Sequence, residues 1–235
     1  GSGKTTMVLE SLVPALRAKI NGEELPRHVA EIKADGIRRV NLIDATPIGI
    51  NVRSTVATYS GISDDLRRLY AAAPKAKELG LRVNDFSYNT GSLRCPTCDG
   101  TGVISMDIQF LPDVEITCPD CGGKRFSPRA DEVKIELGGK PYSIADVMRA
   151  TASEAAELFR DNKRIREKAE TLVRLGLGYL TIGESTPSLS GGEAQRLKLA
   201  TEIGKTQDDA VFVFDEPTIG LHPRDVSVLL GVFDI

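Results

Sequence analysis

An α/β fold interrupted by a cysteine-rich insertion is predicted by three observations. The chain opens on Gly1-Ser2-Gly3-Lys4-Thr5-Thr6, a glycine-rich turn that closes on a lysine and two hydroxyls. Far downstream an apolar run, Ala210 to Phe214, meets Asp215-Glu216. Between the two stand four cysteines in two C-x₂-C pairs. Composition bounds the rest. With 27% charged and 41% hydrophobic residues, the 235-residue chain can bury a core and is not a disordered segment. It has no apolar stretch of membrane-spanning length and no signal-peptide core at its start. Its net charge of −3 argues against coating nucleic acid by bulk charge, but leaves a local basic surface open.

The elements follow in order. Gly1 to Thr6 read as the back half of a phosphate-binding loop, G-x-x-x-x-G-K-[ST]. Gly1 and Gly3 let backbone amides approach phosphate oxygens, Ser2 lies between them, and Lys4 supplies a point charge. Thr5 is placed for Mg²⁺, and Thr6 completes the turn. Such a loop needs a helix N-terminus aimed at the anion, so residues 5–19 are expected to be helical, kinked by Pro14. The loop's first glycine and delivering strand do not precede Gly1, so the chain reads as part of a larger polypeptide. Arg39 to Asp44 reads as a strand ended by Thr46-Pro47-Ile48-Gly49. Residues 63–80 read as helical, with Leu66, Leu69 and Tyr70 on one face.

Residues 91–140 change character. Val103 to Phe110 and Val114 to Thr117 suit a hairpin about Leu111-Pro112-Asp113. Val133 to Leu137 with Gly138-Gly139 reads as a strand and turn. Ser143-x-x-Asp146 and Thr151-x-x-Glu154 are capping boxes that open helices. Ile165, Ala169 and Leu172 form the next helical stripe, closed by Gly176 and Gly178. A last helix follows Ser190-Gly191-Gly192, with Leu197, Ala200 and Ile203 on its buried side. The strand Ala210–Phe214 then delivers Asp215, a Walker B carboxylate for Mg²⁺, and Glu216, which suits a general base for an attacking water. An acidic turn after a buried strand would explain Asp215-Glu216 alone, but less well beside a phosphate loop.

Cys95-x-x-Cys98 and Cys118-x-x-Cys121 present four thiolates, a set that closes a tetrahedral Zn²⁺ site with no open position. Disulfides or a redox pair are the alternatives, and both fit less well in a chain with nucleotide motifs. The module carries more acidic than basic side chains. Candidate phosphate contacts are therefore local: Arg94 before the first cysteine, and Lys124, Arg125 and Arg129 after the last. A solvated rim explains these four residues as well as DNA contact does.

Leu189-Ser190-Gly191-Gly192-Glu193-Ala194-Gln195-Arg196 resembles the signature of the ABC ATPases. That resemblance implies that Ser190, Gly191, Gly192 and Glu193 act on ATP held by the phosphate loop of a second ABC domain. Cysteine pairs between a phosphate loop and this signature resemble the UvrA family, specifically its C-terminal nucleotide-binding domain. Further likeness lies in Thr46-Pro-Ile-Gly49 with Arg53-Ser54, Ala57-Thr-Tyr59, Phe86-Ser-Tyr-Asn89, Phe110-Leu-Pro-Asp-Val114, Gly176-Leu-Gly-Tyr179, Asp215-Glu-Pro-Thr218 and Gly220-Leu-His222.

The resemblance implies a P-loop NTPase of the ABC class with a helical signature region. The ATP-binding core would comprise residues 1–45 and 189–235, and 46–188 would be an insertion and signature region carrying the zinc module at 91–125. It implies ATP, Mg²⁺ and Zn²⁺ as cofactors, a second ABC domain in the same protein, a homodimer partner, duplex DNA and a UvrB-like helicase subunit. It implies no membrane and a cytoplasmic setting. The function implied is recognition of damaged or distorted duplex DNA in nucleotide excision repair. An isolated stretch of this length is expected to be inactive as an ATPase.

The chain departs from the family pattern at several places. Ala45 stands where a Q-loop glutamine is expected, and alanine has no oxygen for Mg²⁺ or water. Ile50 replaces an arginine, the double glycine usual before the first cysteine is missing from Asn89 to Arg94, and Ile219 replaces a threonine. These departures leave two alternatives beside repair: a UvrA-like ATPase conferring resistance to DNA-binding drugs, or a hydrolytically weak DNA-binding module. His28 and His222 read as structural or incidental.

Overall fold

The structure is a computed structural model, and it describes residues 3–44, 46–48, 51–106, 114–203 and 209–214. From Lys4 to Asn21 the chain runs as one helical rod of three pieces. These are α1 (Lys4–Thr6), a π-helical stretch (Met7–Leu12) and α2 (Val13–Asn21). Pro14 explains the middle piece. Its ring would crowd the carbonyl one turn back, and widening the helix relieves this. The Val13 amide accordingly reaches five residues back, to the Val8 carbonyl. The expected kink at Pro14 is thus a change of helical pitch.

Strand β1 (Arg39–Ile43) follows. Helices α3 (Val56–Tyr59), α4 (Ile62–Ala71) and α5 (Pro74–Glu78) come next. Ile62, Leu66 and Tyr70 repeat every fourth residue in α4, and all three are fully buried. The cysteine-rich module carries an antiparallel hairpin, β2 (Val103–Met106) with β3 (Val114–Thr117), in which Val103 faces Thr117. The expected turn at Leu111-Pro112-Asp113 lies outside the described residues. A second hairpin pairs β4 (Lys134–Leu137) with β5 (Lys140–Ser143) across Gly138-Gly139, as expected.

Among the described residues, four further α-helices follow, with β6 after them. Ser143 and Thr151 cap α6 (Ile144–Val147) and α7 (Ala152–Leu158), each in a reciprocal capping box. Asn162 caps α8 (Lys163–Arg174), whose Ile165, Ala169 and Leu172 are fully buried. In α9 (Gly191–Ile203) burial is wider than the expected single stripe: Ala194, Gln195, Arg196, Leu197 and Leu199 are all buried. Elements therefore pack around α9 on more than one side. Strand β6 (Ala210–Phe214) lies parallel to β1, with Ile43 opposite Phe214.

Among the described residues, two apolar cores form beside the cysteine cluster. The larger core gathers Leu66, Tyr70, Phe86, Phe159, Leu172 and Leu197 from the helices and the base of the cysteine-rich module. The smaller joins Ile43 of β1 with Leu175 and Leu199, against Phe212 and Phe214 of β6. α9 contributes to both, so the helix that begins at Ser190 joins the parallel strands to the helical mass. Lys168 of α8 crosses to α4, bonding the Gly61 carbonyl at 2.8 Å and the buried Asp65 carboxylate at 2.6 Å.

The Glu154 carboxyl accepts bonds from the Thr151 amide and hydroxyl, which hold it below the ordinary carboxylate range. Because the folded value is the lower one, its contribution to stability is complete above the unfolded pKa of about 4.3. It is lost as pH falls through the lowered folded value. Thermal unfolding of Glu154→Gln should therefore show a lower Tm than the parent at neutral pH, with the difference closing below about pH 4.

Candidate metal centre and nucleotide site

The cysteine-rich module is closed at its base. The Arg94 and Phe126 backbones form an antiparallel bridge, the Cys95 amide bonds the Arg125 carbonyl at 2.9 Å, and the Ser127 amide bonds the Leu93 carbonyl at 2.9 Å. At the base of the β2–β3 hairpin, the Cys118 amide bonds the Gly102 carbonyl at 3.0 Å. This pairing brings the two C-x₂-C turns face to face.

All four cysteines are buried, and their sulfurs lie within 4.8 Å of one another. The Cys95 and Cys118 sulfurs are 3.9 Å apart, and those of Cys98 and Cys121 are 3.7 Å apart. Zn–S bonds of about 2.3 Å in a tetrahedron put sulfurs about 3.8 Å apart. A disulfide needs about 2.05 Å, so the spacing fits the ion and not a bridge. The Gly102 amide donates to Cys98 Sγ at 3.3 Å. Burial pushes the Cys121 thiol up to about 12 and raises Cys95 as well. Burial also raises Cys98, but the Gly102 and Gly100 amides and the neighbouring thiols bring it below its ordinary value. Four thiolates in such a space need a cation, and all four donors come from the protein, as in a structural site.

Gly100 is dictated by sterics. It has φ 80°, and a Cβ there would stand 1.7 Å from the Tyr88 carbonyl oxygen. The knuckle thus sits directly on the Tyr88 backbone.

The four basic candidates separate. Arg125 is only 5% exposed. Its guanidinium donates to the Val52 carbonyl at 3.1 Å, the Gly100 carbonyl at 3.3 Å and Ser185 Oγ at 2.6 Å. It also lies 5.2 Å from the centroid of the Tyr88 ring. The expectation that Arg125 contacts DNA does not fit this placement: the buried guanidinium already donates to three protein oxygens and lies against the Tyr88 ring. Arg94 pairs with Asp99 at 2.9 Å and bonds the Asn89 carbonyl. Lys124 lies 3.8 Å from Asp131, and Arg129 is exposed.

At the glycine-rich turn, Gly3 adopts φ 72° and caps α1, and its carbonyl accepts the Met7 amide at 2.9 Å. Lys4, Thr5 and Thr6 follow in the first helical turn, all exposed. Gly1, Ser2, Ala45, Asp215 and Glu216 lie outside the described residues. Strand β6 ends at Phe214, directly ahead of Asp215 in sequence.

The Ser190 segment is a capping box. Glu193 Oε2 accepts the Ser190 amide at 2.7 Å, and Ser190 Oγ accepts the Glu193 amide at 3.4 Å. The Tyr179 phenol donates to Glu193 Oε1. Burial pushes the Glu193 carboxyl up, but the Tyr179 and Ser190 bonds outweigh it and leave the group below its ordinary range. Ser190 and Gly191 are exposed, so the helix start is open to an approaching group.

Three residues that sequence reasoning passed over join this region. Tyr179 was legible only as part of the Gly176-Leu-Gly-Tyr179 likeness. Gln195 Nε2 donates to the Ile43 carbonyl at 2.9 Å. Lys198 Nζ donates to Asp44 Oδ1 at 2.5 Å, to Thr46 Oγ1 at 2.8 Å, and to the Thr46 and Asp44 carbonyls at 2.9 and 3.1 Å. The only signal for Lys198 was a charge between Leu197 and Leu199, in a helix otherwise rich in apolar side chains.

Comparison with known proteins places this arrangement. The chain is 44% identical over its whole length to UvrABC system protein A of Lactiplantibacillus plantarum, of which it spans 24%. It is 43% identical to the protein of the same name from Staphylococcus epidermidis, spanning 25% of it. The corresponding Helicobacter pylori protein is 40% identical over 99% of this chain. The chain thus covers about a quarter of the length of these curated relatives. Among solved structures, the crystal structure of UvrA2 from Deinococcus radiodurans matches the whole chain with a TM-score of 0.84 at 43% identity, over 28% of that structure's chain. No protein-family model matches the chain.

Metal analysis of the purified chain is expected to give about one zinc, with four thiols becoming reactive on chelation. Cys118→Ser should lose that metal and lower the Tm. Gly100→Ala should lower zinc affinity without removing a ligand, because the knuckle must move off the Tyr88 carbonyl. A Gly100→Ala variant that binds zinc as tightly as the parent would contradict the close approach.

Proposed function

We infer from its similarity to UvrABC system protein A, about a quarter of whose length it matches end to end, that this chain is a UvrA-family segment, the ATP-binding and zinc-bearing part of a nucleotide excision repair ATPase. One observation carries the reading: a tetrathiolate cluster folded between a phosphate loop and an ABC signature, in a chain 44% identical to UvrABC system protein A. The name shared by these relatives favours repair over drug resistance.

ATP supplies the γ-phosphoryl bond that is cleaved, and Mg²⁺ neutralises charge on its oxygens. The chain's own residues have these proposed roles. Gly1, Ser2 and Gly3 offer backbone amides to phosphate oxygens, with Lys4 on the β- and γ-phosphates. The Thr5 hydroxyl and Asp215 hold the ion, and Thr6 extends the cradle. Glu216 orients and deprotonates the attacking water. Ser190 and the amides of Gly191 and Gly192, at the start of a 13-residue helix, meet the γ-phosphate bound by an opposing ABC domain. Glu193 keeps that helix start formed through its bond to the Ser190 amide.

The zinc module and its rim are proposed to face duplex DNA, with Arg94, Lys124 and Arg129 as phosphate contacts. Arg125 holds the module to the body instead. Such contacts carry no base information, so damage would be sensed through the lower cost of bending or unwinding a weakened duplex. A homodimer partner, a second ABC domain and a UvrB-like helicase subunit complete the proposed assembly. No helix among the described residues is long and apolar enough to cross a membrane.

Two measurements on the full-length protein test this reading. Affinity for lesion-bearing duplex should exceed that for intact duplex, with a difference that depends on ATP, at a fixed and stated salt. Equal affinity in all four conditions would sink the damage-sensing claim. ATP turnover should fall on the order of 10²-fold in Lys4→Ala, as expected when a charge that stabilises the transition state is removed. Ala45→Gln, which restores the missing oxygen, should raise turnover.

A further inference from the structure

We propose that Lys198 is a positioning residue that latches the signature helix to the nucleotide edge of the sheet and thereby makes ATP turnover depend on the angle of that helix. The inference rests on the ATPase reading above and extends it to a residue outside every motif.

The geometry is specific. Lys198 sits in the middle of α9, with its side chain only 16% exposed. An ammonium has three protons, and Nζ here meets four oxygens between 2.5 and 3.1 Å. All four belong to Asp44 and Thr46, the residues on either side of Ala45. Thr46 closes the loop on itself as well, its hydroxyl donating to Asp44 Oδ1 at 2.6 Å. One turn earlier in α9, buried Gln195 bonds the carbonyl of Ile43, the last residue of β1. Two side chains of one helix therefore grip the C-terminal end of β1 and the loop that leaves it.

That grip has a mechanical consequence. In parallel sheets the ligand lies beyond the carboxyl ends of the strands, the end to which Lys198 and Gln195 attach. Ser190 stands eight residues before Lys198, about 12 Å along a rigid helix at 1.5 Å per residue. A shift of the Asp44–Thr46 loop must therefore carry the Ser190 end of α9 with it, or break the ion pair. In ABC domains with a glutamine at position 45, a side chain can reach from this loop toward the nucleotide. Alanine has no such side chain, and the contacts from α9 hold Asp44 and Thr46 on either side of it in sequence.

The test uses the full-length protein. Lys198→Met keeps the aliphatic stem and the helix propensity but removes all four bonds. The expected result is a fall in kcat of about tenfold or more, while the Kd for a non-hydrolysable ATP analogue stays within about threefold. Zinc content and helicity should be unchanged. Asp44→Ala leaves α9 intact, removes the carboxylate that makes the shortest of the four contacts, and is expected to lower kcat in the same direction by a smaller factor, so it decides the matter where Lys198→Met unfolds. The double variant should be no worse than Lys198→Met alone, which already removes every bond of the contact. An unaltered kcat in a folded Lys198→Met protein, or in Asp44→Ala where Lys198→Met unfolds, would overturn the latch and leave the ATPase reading intact. Loss of kcat, analogue binding and Tm together would reduce Lys198 to a purely structural contact and overturn the proposal. A parent protein that hydrolyses no ATP would overturn the ATPase reading and the latch with it.

Discussion

The buried guanidinium of Arg125 is the contact on which the arrangement of this chain depends. It is the last residue of the zinc module, and its donors reach three separate segments: Val52, Gly100 within the knuckle, and Ser185 ahead of the signature. Burial alone would make such a cation costly, and it lowers the Arg125 pKa from its ordinary value. The carbonyls, the hydroxyl and the face of Tyr88 offset that cost. Tyr88 is itself pinned, its phenol bonded to the Arg53 carbonyl at 3.1 Å and to Thr55 Oγ1 at 2.9 Å, and its ring edge-on to Phe126. Removing the charge would strip the buried Gly100 carbonyl and the part-buried Val52 carbonyl and Ser185 hydroxyl of this donor, so the guanidinium is part of the core and not an accessory to it.

From Arg125 the constraint runs in two directions. Outward, its backbone carbonyl accepts the Cys95 amide, which sets one cysteine turn against the other. The metal geometry is thus prepared by ordinary hydrogen bonds before any ion is considered. Inward, residues 184–186 are zipped to 54–56: the Val56 amide bonds the Glu184 carbonyl, and the Thr186 amide bonds the Ser54 carbonyl, both at 2.9 Å. Buried Thr186 also donates to the Ile48 carbonyl at 2.7 Å. Ser190 follows four residues later. The zinc module and the signature therefore share one wall of hydrogen-bonded backbone.

Much of this was legible in the sequence because it depends on local rules. Capping boxes at Ser143 and Thr151, the stripe Ile165-Ala169-Leu172 and the cysteine spacing each need only a few neighbours to be interpreted. What was not legible depends on distant partners. Arg125 and Arg129 look alike in the sequence, yet one is buried under Tyr88 and the other faces solvent. Lys198 meets oxygens more than 150 positions away, and no periodicity announces that. α9 was read as one-sided because Leu197 and Ala200 suggested a stripe. Buried Gln195 breaks the rule that polar residues mark the solvent face because its amide bonds the end of β1, and Arg196 is buried beside it with its Nε unpartnered. The π-helical turn before Pro14 is a similar case: the proline was visible, but not which of its possible accommodations the chain would take.

The signature segment thus has two independent attachments, and this decides what kind of element it can be. On one side Ser185 is held by Arg125, and through it by the zinc knuckle. On the other, Gln195 and Lys198 hold α9 to the end of β1. Ser190 lies between these anchor points, exposed, with its hydroxyl in only a long 3.4 Å bond to the Glu193 amide. A segment fixed at both ends, with a capping box at Ser190 between them, does not reorganise freely. Its position is set by the two bodies it joins. A change in either body, at the thiolate cluster or at the strand edge, must be taken up in the five residues from Ser185 to Leu189, or passed to the helix start. That stretch is short and already contains a 3₁₀ turn over Thr186–Ser188, which leaves little slack. Tight tethering of this kind couples the Ser190 helix start to both the cysteine-rich module and the end of β1, without requiring the two to touch.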